Sequence, residues 1–226
     1  MKKLENEILE IKTLLAQMGE KAVKMLEGSI ESLVECNTKL AEDIIKIDDE
    51  VDRIDVEVDE RCLKVLALYE PKAVDLRYIT TALRIIVDLE RIGDHCVEIA
   101  KEVININKYP PIKPYIDIPN MAKITSDMIR SSLDAFFNKN IDLALRTIKH
   151  DDVIDNLHTQ VIRELLTYIA EDIRKTSVAI SLMFIVRSIE RIADHCTNIC
   201  EMVYFMDTGK NIKHKNINDV LGNYES

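Results

Sequence analysis

The chain predicts an all-α fold built as two pseudo-symmetric, antiparallel three-helix bundles. Three observations carry that expectation. Gly and Pro number only five each in 226 residues, and 31% of the chain is charged, a balance that favours long helices over sheet. Apolar residues recur at helical spacing through stretches of about 30 residues. The phrase DLERIGDH at 88–95 returns as SIERIADH at 188–195.

The first helix is expected over roughly 4–34. Leu4, Ile8, Ile11, Leu15, Met18, Ala22, Met25 and Leu33 follow a near-heptad stripe, with Ser29 its one small polar member. The polar Asn-Thr-Lys at 37–39 turns the chain. A second helix follows over 40–69, with Ile44, Ile47, Val51, Ile54, Val58 and Val65 on one side. Tyr69-Glu70-Pro71 breaks it. Pro71 suits the first turn of a third helix, where its missing donor is harmless, and that helix extends to about Asn107.

Four of the five prolines fall in YPPIKPYIDIP at 109–119. No helix is expected to run through Pro110, Pro111, Pro114 and Pro119, since each lacks a backbone donor and crowds the preceding turn. The boundaries that follow are a first bundle over 1–108, a linker over 109–119, a second bundle over 120–208 and a polar tail over 209–226. Helices in the second bundle are expected over 120–137, 141–170 and 173–206.

The halves align. Glu90, Arg91, Ile92, Asp94, His95 and Cys96 match Glu190, Arg191, Ile192, Asp194, His195 and Cys196. IDDEVDRI at 47 matches HDDVIDNL at 150, and DLR at 75 matches DIR at 172. Such a repeat implies duplication of one supersecondary unit.

Charge and motifs exclude several function classes. A net charge of −10 argues against nucleic acid as a partner, because a duplex binder needs a cationic face. The N-terminal MKKLENEILEIK lacks the unbroken apolar stretch of a signal peptide. The apolar run around Leu182–Val186 is far short of the ~20 residues of a membrane span. The expectation is therefore a cytoplasmic protein. Five cysteines, an odd number with no CxxC, read as small buried hydrophobes in a reducing compartment. There is no nucleophile elbow, P-loop or dinucleotide fingerprint, so a non-enzyme is expected.

The repeated acids carry the chemistry. On the third helix, Ala82, Ile86, Leu89, Gly93, Cys96, Ala100 and Val103 form the core stripe. Arg84, Asp88, Arg91, His95, Glu98, Glu102 and Asn105 are expected on the solvated face. Glu90 and Asp94 belong to neither. Two carboxylates one turn apart repel by roughly 0.2–0.5 kcal/mol in water, and by more against apolar surroundings. The second helix of each half supplies a facing pair, Asp48 with Asp52 and Asp151 with Asp155, and the first-half stripe continues through Asp55 and Asp59. Antiparallel neighbours would gather four carboxylates in a groove, a donor set suited to hard cations. A solvated helix face is the plainer alternative for any one pair. A carboxylate-bridged multinuclear metalloprotein of the ferritin kind, a metal store or oxidase, is another alternative. It lacks the inward Glu-x-x-His pairs of di-iron bundles. His95 and His195 are expected on the surface, and His158, which aligns with Asp55, is a weaker candidate ligand.

The paired ERIGDH and ERIADH, the segment Pro71, Ala73, Asp75, Leu76, Arg77, and the D-x-x-x-D of the second helix together resemble the PhoU family over residues 8–206. The second half departs from the pattern, with Ala193 for Gly93 and no proline before its DIR. The resemblance implies multinuclear metal clusters, of iron or another divalent cation such as manganese, magnesium or zinc. The implied ligands are Asp48, Asp52, Glu90 and Asp94, then Asp151, Asp155, Glu190 and Asp194. Arg77, Arg91, Arg174 and Arg191 are implied as ion-pair or partner contacts. The family also implies a homodimeric regulator of phosphate uptake and phosphate-starvation signalling. Its partners would be the phosphate ABC transporter ATPase and a sensor histidine kinase, with the membrane approached only through them.

Overall fold

The computed structural model describes residues 2–213. Among the described residues six long helices follow one another: α1 (Lys2–Val34), α2 (Thr38–Tyr69), α3 (Val74–Ile106), α4 (Asp117–Asn138), α5 (Ile141–Glu171) and α6 (Thr176–Thr208), with one 3₁₀ turn at Ile173–Lys175. Helices α1, α2 and α3 pack mutually, as do α4, α5 and α6. The two bundles meet through α3 against α6 and α1 against α4, which leaves α2 and α5 on the outside. The expected all-α architecture of two three-helix bundles is the one observed.

The expected core stripes are buried except at Leu4, Ile8 and Ile47, which are partly buried. On α1, Ile11, Leu15, Met18, Ala22 and Met25 are fully buried, and so is Ser29, whose hydroxyl donates to the Cys96 carbonyl at 3.3 Å. All seven predicted core positions of α3 are buried. Cys62, Cys96, Cys196 and Cys200 are buried free thiols, while Cys36 is exposed. Burial pushes the Cys62 thiol up to about 12, so it packs as a hydrophobe.

Equivalent turns repeat the same capping chemistry. Before α2, the Asn37 side chain accepts from the Leu40 amide at 3.1 Å; before α5, Asn140 accepts from Leu143 at 3.0 Å. Each satisfies an amide that the first helical turn leaves unpaired. Residues in the left-handed region, Cys36 (φ 52°) and Lys139 (φ 51°), reverse the chain just before these caps.

The turns into α3 and α6 differ. Pro71 lies outside α3, which starts at Val74 rather than at the proline. Glu70 (φ 44°) and Ala73 (φ 46°) both adopt positive φ between the helices, so the reversal is completed before the helix begins. In the second half there is no proline, and the 3₁₀ turn does the same work, capped by the Asp172 side chain on the Arg174 amide at 3.1 Å.

A further difference concerns Pro119. It lies within the first turn of α4, not in the linker. The first-turn amide of a helix has no acceptor to lose, so proline is tolerated there. The rest of the linker is anchored. Lys113 is buried and pairs with Glu164 of α5 and with Asp117 at 3.7 Å. Of the expected tail, Ile212 packs on Ile141 and Leu145, and 214–226 lies outside the described residues.

The two halves share one core. Tyr78 of α3 stacks on Phe136 of α4, with ring centroids 4.7 Å apart, and Phe136 is fully buried. Phe136→Ala is expected to cost about 3–5 kcal/mol through lost burial and a residual cavity. Urea unfolding should show both halves destabilised in one transition; a selective loss of the second half would show that they fold separately.

Candidate metal centres

Helix α3 is nearly encircled by neighbours. One side packs on α1, a second on α2 and a third on α6. Glu90 and Asp94 emerge on the α2 side, opposite Asp48 and Asp52, because the heptad offset that places Leu89 and Cys96 in the core puts their neighbours at its edge. In the second half, Glu190 and Asp194 emerge beside Asp151 and Asp155 by the same geometry.

Each set shares one electrostatic environment. Asp48 is raised above the ordinary carboxylate value, first by burial and then by the charges of Asp52 and Asp94. Glu90 is raised by burial, then by Asp94, Asp55 and Asp52, against the opposing pull of Arg91. In the second half the effect is stronger. Burial, followed by Asp155, Asp194 and Glu190, pushes Asp151 up to about 7. Its Oδ1 is buried with no hydrogen-bond partner among the described residues. Asp155 and Glu190 are raised as well, chiefly by burial, and His158 opposes the rise of both.

Among the described residues, no three His, Cys, Asp or Glu side chains already converge on one point as a formed metal cage. Arginines share the space instead. Arg91 pairs with Asp94 at 2.9 Å and lies 3.4 Å from Glu90; Arg191 repeats this with Asp194 at 2.9 Å and Glu190 at 3.6 Å. These are partly exposed pairs, worth about 0–1 kcal/mol each. The donor set nonetheless fits hard cations: it is all oxygen in the four acids of each half, it is repeated, and it includes an oxygen removed from water without a partner.

The glycine at 93 bears on the first site. A Cβ there would lie 3.1 Å from Asp48 Oδ1, so Gly93 lets that carboxylate lie against the α3 backbone. The second half carries Ala193 at this position, fully buried.

The remaining predicted residues are dispersed. Arg174 is exposed and forms a fork with its neighbour Asp172 at 2.9 and 3.0 Å. Arg77 is partly buried, and its Nε finds no partner among the described residues. Neither reaches the acidic groups.

The expectation of a solvated stripe on α3 holds for Arg84, Arg91, Glu98 and Asn105, which are exposed, and fails for Asp88 and His95. Asp88 and His95 face α6. His195 Nδ1 lies 2.7 Å from Asp88 Oδ1, and Asn198 donates to the same oxygen at 3.2 Å. His95 Nδ1 lies 2.9 Å from Glu98, which also accepts from the Ser188 hydroxyl at 3.1 Å. The two imidazole rings are 5.7 Å apart. His95 and His195 are therefore interface residues, with side chains 20% exposed. One helix cannot show which of its polar faces meets another helix, so only the repeat itself could have hinted at this. A duplicated polar stripe is one that a two-fold contact can pair with itself.

Fold and site together define a duplicated helical-bundle protein with a carboxylate-lined groove in each half. The family model described as PhoU domain matches the chain twice, over residues 15–103 and 118–203. The chain belongs to the PhoU family. It is 38% identical over 217 residues to the phosphate-specific transport system accessory protein PhoU homolog of Aquifex aeolicus, covering 96% of this chain and 98% of that one. It is 36% identical to PhoU homolog 2 of Thermotoga maritima, covering 94% and 91%. The crystal structure of PhoU from Pseudomonas aeruginosa superposes with a TM-score of 0.87 at 31% identity, covering 91% of this chain and 99% of that one.

The Asp151 environment makes a prediction about the metal-free protein. Its raised value means that the folded chain holds the proton more tightly than the unfolded chain, whose Asp titrates near ~4. The contribution is fully favourable below that and is lost as pH rises through about 7. Asp151→Asn should therefore raise the melting temperature at pH 8 and leave it nearly unchanged at pH 4. Residual solvent screening limits the gain to about 1 kcal/mol, or about 2–4 °C for a chain of this size.

Proposed function

We propose that this chain is a metal-binding, non-enzymatic regulator of phosphate uptake that works by docking on components of the transport system. The observation that carries the metal part is the duplicated acidic groove, with an Asp151 oxygen buried and unpartnered. The phosphate part is supported by relatives described as phosphate-specific transport system accessory proteins.

In this reading Asp48, Asp52, Glu90 and Asp94 hold divalent cations in the first half, and Asp151, Asp155, Glu190 and Asp194 hold them in the second. Iron and manganese are the first candidates, with magnesium and zinc next. Bound metal supplies positive charge that offsets carboxylate repulsion and stiffens the α2–α3 and α5–α6 grooves. Arg91 and Arg191 hold the same acids part-neutralised in its absence. The seam histidines are engaged by Asp88 and Glu98 rather than by the grooves, which weighs against the ferritin-like alternative.

Partner contact is supported by the repeated DLR, in the first turn of α3, and DIR, in the 3₁₀ turn before α6. They leave equivalent apolar residues in water, Leu76 at 41% and Ile173 at 75% exposure. The proposed partners are the ATPase of a phosphate ABC transporter and a sensor histidine kinase, met in the cytoplasm by a homodimer of this chain. Among the described residues no helix is long and apolar enough to cross a membrane; in this reading the partners provide the membrane attachment.

The test is the double variant Glu90→Ala with Asp94→Ala, reconstituted with manganese or ferrous iron and assayed by elemental analysis. Metal content should fall to about half, with the second site intact and helical circular dichroism unchanged. Unfolding would show the acids to be structural, and full metal content would place the ions elsewhere. A parallel pull-down from phosphate-replete cells should recover the transporter ATPase with the wild-type chain.

A further inference from the structure

A cavity of about 430 Å³ opens beside the seam, between the second half of α3 and the first half of α6. We propose that it binds a phosphate group, carried either by the free inorganic anion or by a small phosphomonoester. This site borders the acidic grooves, sharing Arg191 with the second of them, and needs no metal.

Its charges are the first argument. Lys101 and Arg187 both line it, and among the described residues neither makes a direct hydrogen bond or a close ion pair, although the Lys101 charge also acts on Asp48 and Glu98. The other charged groups on its walls are mostly engaged: Glu98 with His95 and Ser188, and Arg191 with Asp194. Glu102 also faces the cavity, so on its walls three cations stand against two carboxylates, with Arg191 shared with Asp194 of the neighbouring groove. That surplus is unusual on a chain of net charge −10. A guanidinium fork with a nearby ammonium is the pairing that phosphate oxygens recognise best.

The duplication supplies the second argument. The equivalent groove at the other end of the seam is lined by Arg84, Val87, Asp88 and Glu201. Its Val87 stands where the first cavity has Arg187, and its Glu201 where the first has Lys101. Even with Lys213 on its wall, that groove has no positive surplus. The fold alone therefore does not require a cationic cavity here; it arises from substitutions in one copy.

Size is the third. The volume lies within the ~300–1,000 Å³ of small-molecule sites. Phe184, 51% exposed, gives an apolar wall against which the body of a phosphomonoester can lie.

The experiment uses the full chain stripped of metal with EDTA and then freed of chelator, so that phosphate held through a bound cation is not read as binding here. Calorimetric titrations with inorganic phosphate and, separately, with AMP should give saturable binding for at least one. Tighter AMP binding identifies an organic phosphate as the ligand; equal or tighter inorganic phosphate identifies the free anion. Lys101→Glu with Arg187→Val, which installs the residues of the duplicate groove, should weaken binding at least about tenfold. Arg187→Gln alone, a change at an exposed residue, repeats the test with the least disturbance to folding. No binding of either probe at millimolar concentration, or binding by Arg187→Gln within twofold of wild type, overturns the proposal.

Discussion

The packing of α3 against α6 is the constraint from which the rest of the structure follows. Each of these helices already serves as the third member of its own bundle. Once they also pack on each other, little of α3 or α6 remains free. The seam is partly polar, and it is satisfied: Asp88 accepts from the opposite helix, and Glu98 accepts from Ser188 across the seam. The carboxylates are exchanged between the copies. Asp88 faces Asn198 at one end, while their repeat equivalents, Ser188 and Glu98, meet at the other. Each end thus keeps one carboxylate near one imidazole, and neither places two acids opposite each other. Part-buried polar contacts of this kind favour one register over sliding alternatives.

The acidic grooves depend on that arrangement. Because α3 and α6 are held on several sides, Glu90, Asp94, Glu190 and Asp194 cannot rotate away from the acids on α2 and α5. Apolar neighbours such as Leu89, Val97 and Ile189 lie behind them, so water reaches the carboxylates from one side only. Repulsion that would be minor on an isolated helix becomes a property of the fold. The two copies have not kept it equal. Asp151 is the more deeply desolvated, and His158 faces its group, whereas Asp55 adds a further negative charge to the first.

The arginines connect these features. Arg191 pairs with the acids of the second groove and also lines the cavity beside the seam. Any change in how strongly Asp194 holds it alters the charge presented to that cavity. A cation in the groove and an anion in the cavity would then favour each other, by equal amounts in both directions.

Periodicity, composition and repetition determined the helices, their order, the core stripes and the pairing of the acids. These are local properties: a residue's place around a helix follows from 3.6 residues per turn whatever surrounds the helix. Local rules also set the limits of that reading at Pro71 and Pro119, where a proline fits either just before a helix or within its first turn. Only the tertiary structure decided which polar face is covered. His95 and His195 sit on stripes whose composition matches any solvated surface, and only the packing of α3 against α6 takes these two rings largely out of water. The same holds for Lys101 and Arg187, distant in sequence and ordinary in type. Their shared cavity exists because two duplicated bundles dock along one axis, and docking is a property of surfaces rather than of spacing along the chain.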